Sequence, residues 1–71
     1  MNYLVWYDES AKKSTAEKIQ EAIAAYVARF ATAPNMVLVN SADQADVGGV
    51  LVRSERTVQP NNFWVGMHDD G

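Results

Sequence analysis

The sequence predicts a small α/β (α+β) domain in which one principal helix packs on one face of a mixed four-stranded β-sheet. Two continuous apolar runs, 3–7 and 36–39, flank a stretch with helical periodicity. This strand–helix–strand order is typical of a βαβ unit with parallel strands. Two further apolar stretches follow, separated by a long polar segment, and we interpret them as an antiparallel β pair. Residues 1–71 are therefore expected to form a single compact domain.

The helix, expected over 14–31, has the clearest signals. Its apolar side chains recur at the spacing of three and four residues that lines one side of an α-helix. They are Ala16, Ile19, Ala22, Ile23, Tyr26, Val27 and Phe30. Ser14 and Glu17 have the spacing of a capping box at the helix start, and Pro34 ends any continuation. We expect Ile19, Ile23, Tyr26 and Phe30 to contact the sheet.

The strands are predicted from apolar runs without polar alternation, which are typical of strands buried on both faces. The third strand is expected over 47–52, where Gly48 and Gly49 indicate a bulge or a close backbone approach. The fourth is expected over 63–67. Between them, residues 53–62 are polar apart from one valine and form what we call the arm. Residues 41–44 are predicted to form one helical turn.

Composition and charge exclude some kinds of site and argue against some kinds of partner. The 71 residues include no cysteine, which excludes disulfides and thiolate metal sites. A core of this size supplies only about 3–5 kcal/mol, so such domains often gain stability by association. Six basic and nine acidic residues leave a net charge of −3, which argues against a binder of phosphate backbones. With no apolar stretch of about 18 residues and no signal-peptide pattern, we expect a cytoplasmic protein without a membrane contact.

One face of the sheet is expected to lack a cover, because a helix about 10 Å wide covers about two strands on one side. The uncovered side chains would be Leu4, Trp6, Met36 and Leu38, joined by Trp64 or Phe63. The alternate set comprises the residues that point the other way on the same strands: Tyr3, Val5, Tyr7, Val37 and Val39. Such a patch could exceed ~400 Å², more than soluble monomers usually expose. The chain could cover this face itself, if the arm folds back over it or the twisted sheet curls enough to close. Alternatively, a homodimer or protein partner covers it, which we favour.

The function that this pattern favours is a small, non-catalytic protein-interaction or regulatory module that needs no cofactor. It would bind a second copy or a partner through the exposed sheet face and residues 53–64. Trp and Arg are enriched among the residues that dominate binding energy at interfaces. The predicted contact residues are Leu4, Trp6, Met36, Leu38, Arg53, Arg56, Phe63 and Trp64.

Two alternatives remain open. Arg53 and Arg56, with the aromatic residues that follow, could bind a single-stranded nucleic acid by charge and stacking, although Glu55 lies between them. Alternatively, Asp8, Glu9 and Asp43 could bind a divalent metal ion at the strand ends and make the protein a metal-dependent enzyme. No regular ligand spacing supports the metal site, and these residue types are common in loops and caps.

Overall fold

The structure is a computed structural model that describes residues 3–67. Its elements are β1 (Tyr3–Tyr7), α1 (Thr15–Phe30), β2 (Met36–Val39), a 3₁₀ turn (Ser41–Asp43), β3 (Leu51–Ser54) and β4 (Asn62–Gly66). The strands form one mixed sheet in the order β1-β4-β2-β3. This confirms the predicted fold class, a mixed four-stranded sheet with one principal helix. No helix in the described range is long and apolar enough to cross a membrane.

Strand β4 lies in the middle of the sheet, between β1 and β2. It pairs antiparallel with both, so β1 and β2 run parallel to each other without sharing hydrogen bonds. With α1 connecting β1 to β2, this is a split βαβ arrangement.

The prediction that the third and fourth strands pair directly is wrong. Strand β3 pairs in parallel with β2, and β2 separates it from β4, although β3 and β4 do run in opposite directions. The connection through residues 55–61 is long enough for this, since an extended chain covers about 3.3 Å per residue and neighbouring strands lie about 4.8 Å apart. A central place also lets β4 bury Phe63 and Val65 completely.

The helix begins and ends as its local signals predict. Ser14 is the N-cap: its Oγ accepts a hydrogen bond from the Glu17 N–H at 3.1 Å, and the Glu17 carboxylate accepts one from the Ser14 N–H at 3.4 Å. Together these contacts form the predicted capping box. At the other end Ala31 adopts the left-handed conformation, with φ 55°, and its N–H donates to the Val27 carbonyl.

The third strand is shorter than predicted and begins at Leu51. Gly48 and Gly49 form a turn rather than a bulge inside a strand, and Gly49 has a φ of 87° that L-residues rarely adopt. Val47 and Val50 therefore contact the core from outside the sheet.

The core lies between α1 and one face of the sheet. Ile19, Ala22 and Tyr26 of the helix are buried there, and Ile23 and Phe30 pack at its margin. The expected helix contacts are thus confirmed. The sheet contributes Val37 and Val39 from β2 and Phe63 and Val65 from β4, all fully buried.

Candidate interaction surface

The pairing register assigns every strand residue to one of two faces, because directly opposed residues on neighbouring strands share a face. One row across the sheet contains Leu4, Val65, Val37 and Val52, and another contains Trp6, Phe63, Val39 and Ser54. Since Val37 and Val65 belong to the core, both rows face the helix. The remaining strand residues, in the rows between and on either side of these two, face the other way.

We call the opposite side of the sheet the open face. Its three rows are Tyr3, Gly66, Met36 and Leu51; then Val5, Trp64, Leu38 and Arg53; and finally Tyr7 and Asn62. Side chains are most exposed at its two lateral strands, with Val5 at 51%, Tyr7 at 58% and Leu51 at 55%. In the middle, Met36 is buried and the Trp64 ring packs against the Tyr3 ring with centroids 6.0 Å apart. The open face is therefore mostly apolar, with Arg53 as its charged residue.

The predicted set of uncovered residues is split between the two faces. Leu38 lies half-buried on the open face, and Met36 lies there too but is buried, with 4% of its surface exposed. Leu4 and Trp6 pack against the core on the helix side. The alternate set fails for the same reason. Strand β4 lies between β1 and β2. Which residues of β1 share a face with which residues of β2 therefore depends on two registers, that of β1 with β4 and that of β4 with β2. Neither register can be read from the apolar runs alone.

Phe63 also lies on the helix side and has no exposed surface, so it cannot contact a partner. Trp64 is half-buried on the open face. Of the residues on this face, Tyr3, Val5 and Tyr7 belong to the alternate set, and the sequence interpretation missed Leu51. The alternation within the first strand was visible, but which half of it faces the helix was not.

The arm is attached to the carboxyl ends of the strands instead of folding across the open face. Val58 is buried, and its carbonyl accepts a hydrogen bond from Asn40 Nδ2 at 3.0 Å. Asn61, in the left-handed conformation, donates its N–H to Asp43 Oδ2 at 2.8 Å. Its carbonyl accepts from the Asp8 N–H at 3.0 Å. These contacts hold the arm in place at that end of the sheet.

Asn40 has a second role, as the cap of the turn Ser41–Asp43. Its Oδ1 accepts a hydrogen bond from the Ala42 N–H at 2.9 Å. The predicted helical turn is present, with Asn40 as its N-cap. Because Asn40 both caps this turn and donates to the Val58 carbonyl, it connects the turn Ser41–Asp43 to the arm.

Of the two arginines of the arm, Arg53 lies on the open face. Arg53 is exposed on β3, with its Nε 3.9 Å from Glu55 Oε1, a long contact that neutralises little charge. Arg56 is exposed in the turn that follows. With Phe63 buried, Trp64 is the aromatic side chain that remains near them, about 10 Å from Arg53 across β2. This spacing and the net charge of −3 give little support to a nucleic-acid site.

Asp8 forms an ion-pair network that ties the loop after β1 to the helix. Its carboxylate accepts the Ser10 N–H at 2.9 Å and the Lys13 Nζ at 3.3 Å. These hydrogen bonds, with the nearby ammonium charge, hold the pKa of Asp8 below its ordinary value. Lys13 also donates to Glu21 Oε1 at 2.7 Å, and this contact, with that to Asp8, raises the pKa of Lys13.

The other two candidate metal ligands also have structural partners. Glu9 accepts the Tyr7 hydroxyl at 2.7 Å, which raises the pKa of Tyr7. Asp43 is buried and fixes the arm through Asn61. Within residues 3–67, no three histidine or acidic side chains come together in a group that could hold a metal ion. The carboxylates thus act as hydrogen-bond acceptors for the surrounding loops.

A cleft of about 270 Å³ lies beside β3. It is lined by Asp46, Val47, Gly48, Val50, Leu51 and Val52. Through Leu51 this cleft adjoins the open face.

Comparisons of the chain with protein-family models, with curated proteins and with solved structures find no match.

Proposed function

We propose that this chain is a small, non-catalytic protein-interaction or regulatory module that binds a protein through the open face. The observation that carries the proposal is the exposure of Val5, Tyr7 and Leu51 on a face that carries one charge, Arg53. Full burial of an aliphatic side chain of this size contributes roughly 1.5–3 kcal/mol, so a partner that covers this face gains substantial binding energy.

The size of the open face indicates what kind of complex it can form. Four strands about 4.8 Å apart, of four or five residues at about 3.3 Å each, give a flat area of roughly 250–300 Å². A stable interface buries about 800 Å² on each partner. The open face alone therefore supports a weak, reversible complex. A tighter one would extend along the arm, where Arg56 is exposed and available for contacts.

The centre of the open face has the composition of an interface hot spot. Trp64 is half-buried and held by the Tyr3 ring, so little side-chain entropy is lost when a partner contacts it. Leu38 separates it from Arg53 in the same row. Tryptophan and arginine are the side chains most often found to dominate binding energy.

Site-specific photo-cross-linking in the natural host tests this function. A benzophenone side chain replaces Leu51 on the open face in one variant and Val27 on the helix in the other. The two positions are comparably exposed, at 55% and 41%. We expect a discrete adduct, with a second copy or another protein, from position 51 and a much weaker one from position 27. Equal labelling at both positions, or none at position 51, contradicts the proposal.

A further inference from the structure

Strand β1 forms one lateral edge of the sheet, and its backbone direction shows which groups face outward. The Asp8 N–H donates to the Asn61 carbonyl, which continues the ladder between β1 and β4. Because hydrogen bonding alternates along an antiparallel strand, Leu4 and Trp6 also direct their backbone groups toward β4. The N–H and C=O groups of Tyr3, Val5 and Tyr7 therefore point away from the sheet.

The two lateral strands differ in how they are protected from pairing with another chain. At the other edge, β3 is four residues long, carries Arg53, and has its Val52 carbonyl occupied by Gln44 Nε2 at 3.0 Å. Strand β1 is five residues long and contains no charge, proline or glycine. Short length, charge and side-chain cover are the features that normally prevent edge pairing. Only β3 has them.

We propose that β1 pairs antiparallel with β1 of a second copy, about a two-fold axis at Val5, to form one continuous eight-stranded sheet. In this register Val5 lies opposite Val5 of the partner subunit, and Tyr3 lies opposite the partner subunit's Tyr7. These are the residues whose backbone groups point outward. Each opposed pair exchanges two N–H···O bonds, so the ladder contains about six hydrogen bonds.

The side chains and charges favour this register. On the open face it pairs Tyr3 with Tyr7 of the partner subunit, and on the helix side it brings Leu4 beside the partner subunit's Trp6. The acidic residues Asp8 and Glu9 follow the strand. Antiparallel pairing keeps the two copies of Asp8 about 20 Å apart at ~3.4 Å per residue, beyond the screening length of about 8 Å. Parallel pairing would place them side by side.

A second copy fits this edge better than an unrelated extended peptide does. The strand is uncharged and matches itself about its centre, and a two-fold pair uses both unprotected edges at once. The ends of the eight-stranded sheet are then the two protected β3 strands. A five-residue ladder buries less than the about 800 Å² per partner of a standard interface, so we expect a dissociation constant on the order of 10 µM. In this dimer Val5 and Tyr7 gain neighbours across the new ladder, whereas Leu51, at the other lateral strand of the open face, stays accessible to a partner.

Sedimentation equilibrium from about 1 µM to about 1 mM, a range that brackets the expected dissociation constant, tests the proposal with two matched variants. Val5→Lys and Val27→Lys make the same change at exposed valines, one at the dimer axis and one on the helix. We expect the wild type and Val27→Lys to approach twice the chain mass of 7.8 kDa. Val5→Lys places two ammonium groups opposite each other and should weaken the dimer at least about tenfold.

Amide hydrogen exchange locates the interface. The amides of Val5 and Tyr7 should exchange more slowly as the protein concentration rises, while those of Leu4 and Trp6 stay protected at every concentration. A wild type that is monomeric at about 1 mM, far above the expected dissociation constant, overturns the proposal. So does a dimer that Leu51→Lys weakens at least as much as Val5→Lys does, because Leu51 lies at the far lateral strand and only an interface across the open face would contact it. Neither result affects the cross-linking test with other proteins.

Discussion

Ala31, at the end of the helix, is a single residue whose conformation costs stability. Its φ of 55° places a Cβ in the left-handed region, which glycine occupies without strain. We expect Ala31→Gly to stabilise the protein by about 0.5–1 kcal/mol, because the relief of strain exceeds the loss of backbone entropy. Urea unfolding followed by circular dichroism measures the change.

The matched control is Ala24→Gly, the same substitution at an exposed position in the helix interior. There the backbone is helical and glycine should cost about 1 kcal/mol. If the two variants shift stability in the same direction, the left-handed conformation of Ala31 is not what limits the helix end.

Asp8 makes the stability of the fold depend on pH in the acidic range. Its folded pKa lies below the ordinary value of 3.8, so its hydrogen bonds stabilise the protein above that pH. This stabilisation is lost as the pH falls through the folded pKa. We expect Asp8→Asn to reduce stability at neutral pH and to flatten the fall of the melting temperature below about pH 5. Asp46→Asn removes one charge from an exposed loop and should keep the wild-type profile. A wild-type profile in Asp8→Asn would show that the network with Lys13 contributes nothing to stability.

The arm is an element whose position depends on one buried carboxylate. Asp43→Ala leaves the Asn61 N–H without its acceptor at the carboxyl end of the strands. Loss of a buried hydrogen-bond partner costs about 1–3 kcal/mol, and we expect this much destabilisation in urea unfolding. Amides of residues 55–61 should also exchange faster, because the arm is released locally.

Asp46→Ala is the control for the arm, since Asp46 is exposed and three residues away in the same segment. It should change stability by less than about 0.5 kcal/mol. Equal effects of the two alanine substitutions would mean that net charge, and not the contact with Asn61, accounts for the loss.

For the molecule as a whole, the central position of β4 makes Phe63 the residue on which the fold most depends. It is fully buried and lies in a row with Trp6 and Val39 against the helix. Phe63→Ala should cost about 3–5 kcal/mol, comparable to the whole stability expected of a domain of this size. We therefore expect the variant to be largely unfolded by circular dichroism.

Leu51→Ala provides the comparison for the central strand, because Leu51 lies on the lateral strand β3 and is 55% exposed. It should leave the fold intact and change stability by less than about 0.5 kcal/mol. A folded Phe63→Ala protein of near-normal stability would contradict the central position of β4.

The features predicted correctly are those that neighbouring residues specify. Strands 3–7 and 36–39 and the capped helix follow from apolar runs, helical spacing and the Ser14–Glu17 pair, and all act over a few residues. The glycine pair Gly48–Gly49 was predicted to form a bulge or a close backbone approach within the third strand, but it forms a turn and the strand starts only after it.

The order of the strands and the identity of the open face depend on contacts between distant residues. Alternation within β1 separates Leu4 and Trp6 from Val5, but which half faces the helix is set by the register from β1 through β4 to β2. Considered alone, each strand could direct either of its two alternating sets of side chains toward the helix. Because side chains alternate with a period of two, a register shift of one residue exchanges the two sets. Local chemistry thus determines the helix and the strands, whereas the insertion of β4 between β1 and β2 determines which apolar side chains remain exposed.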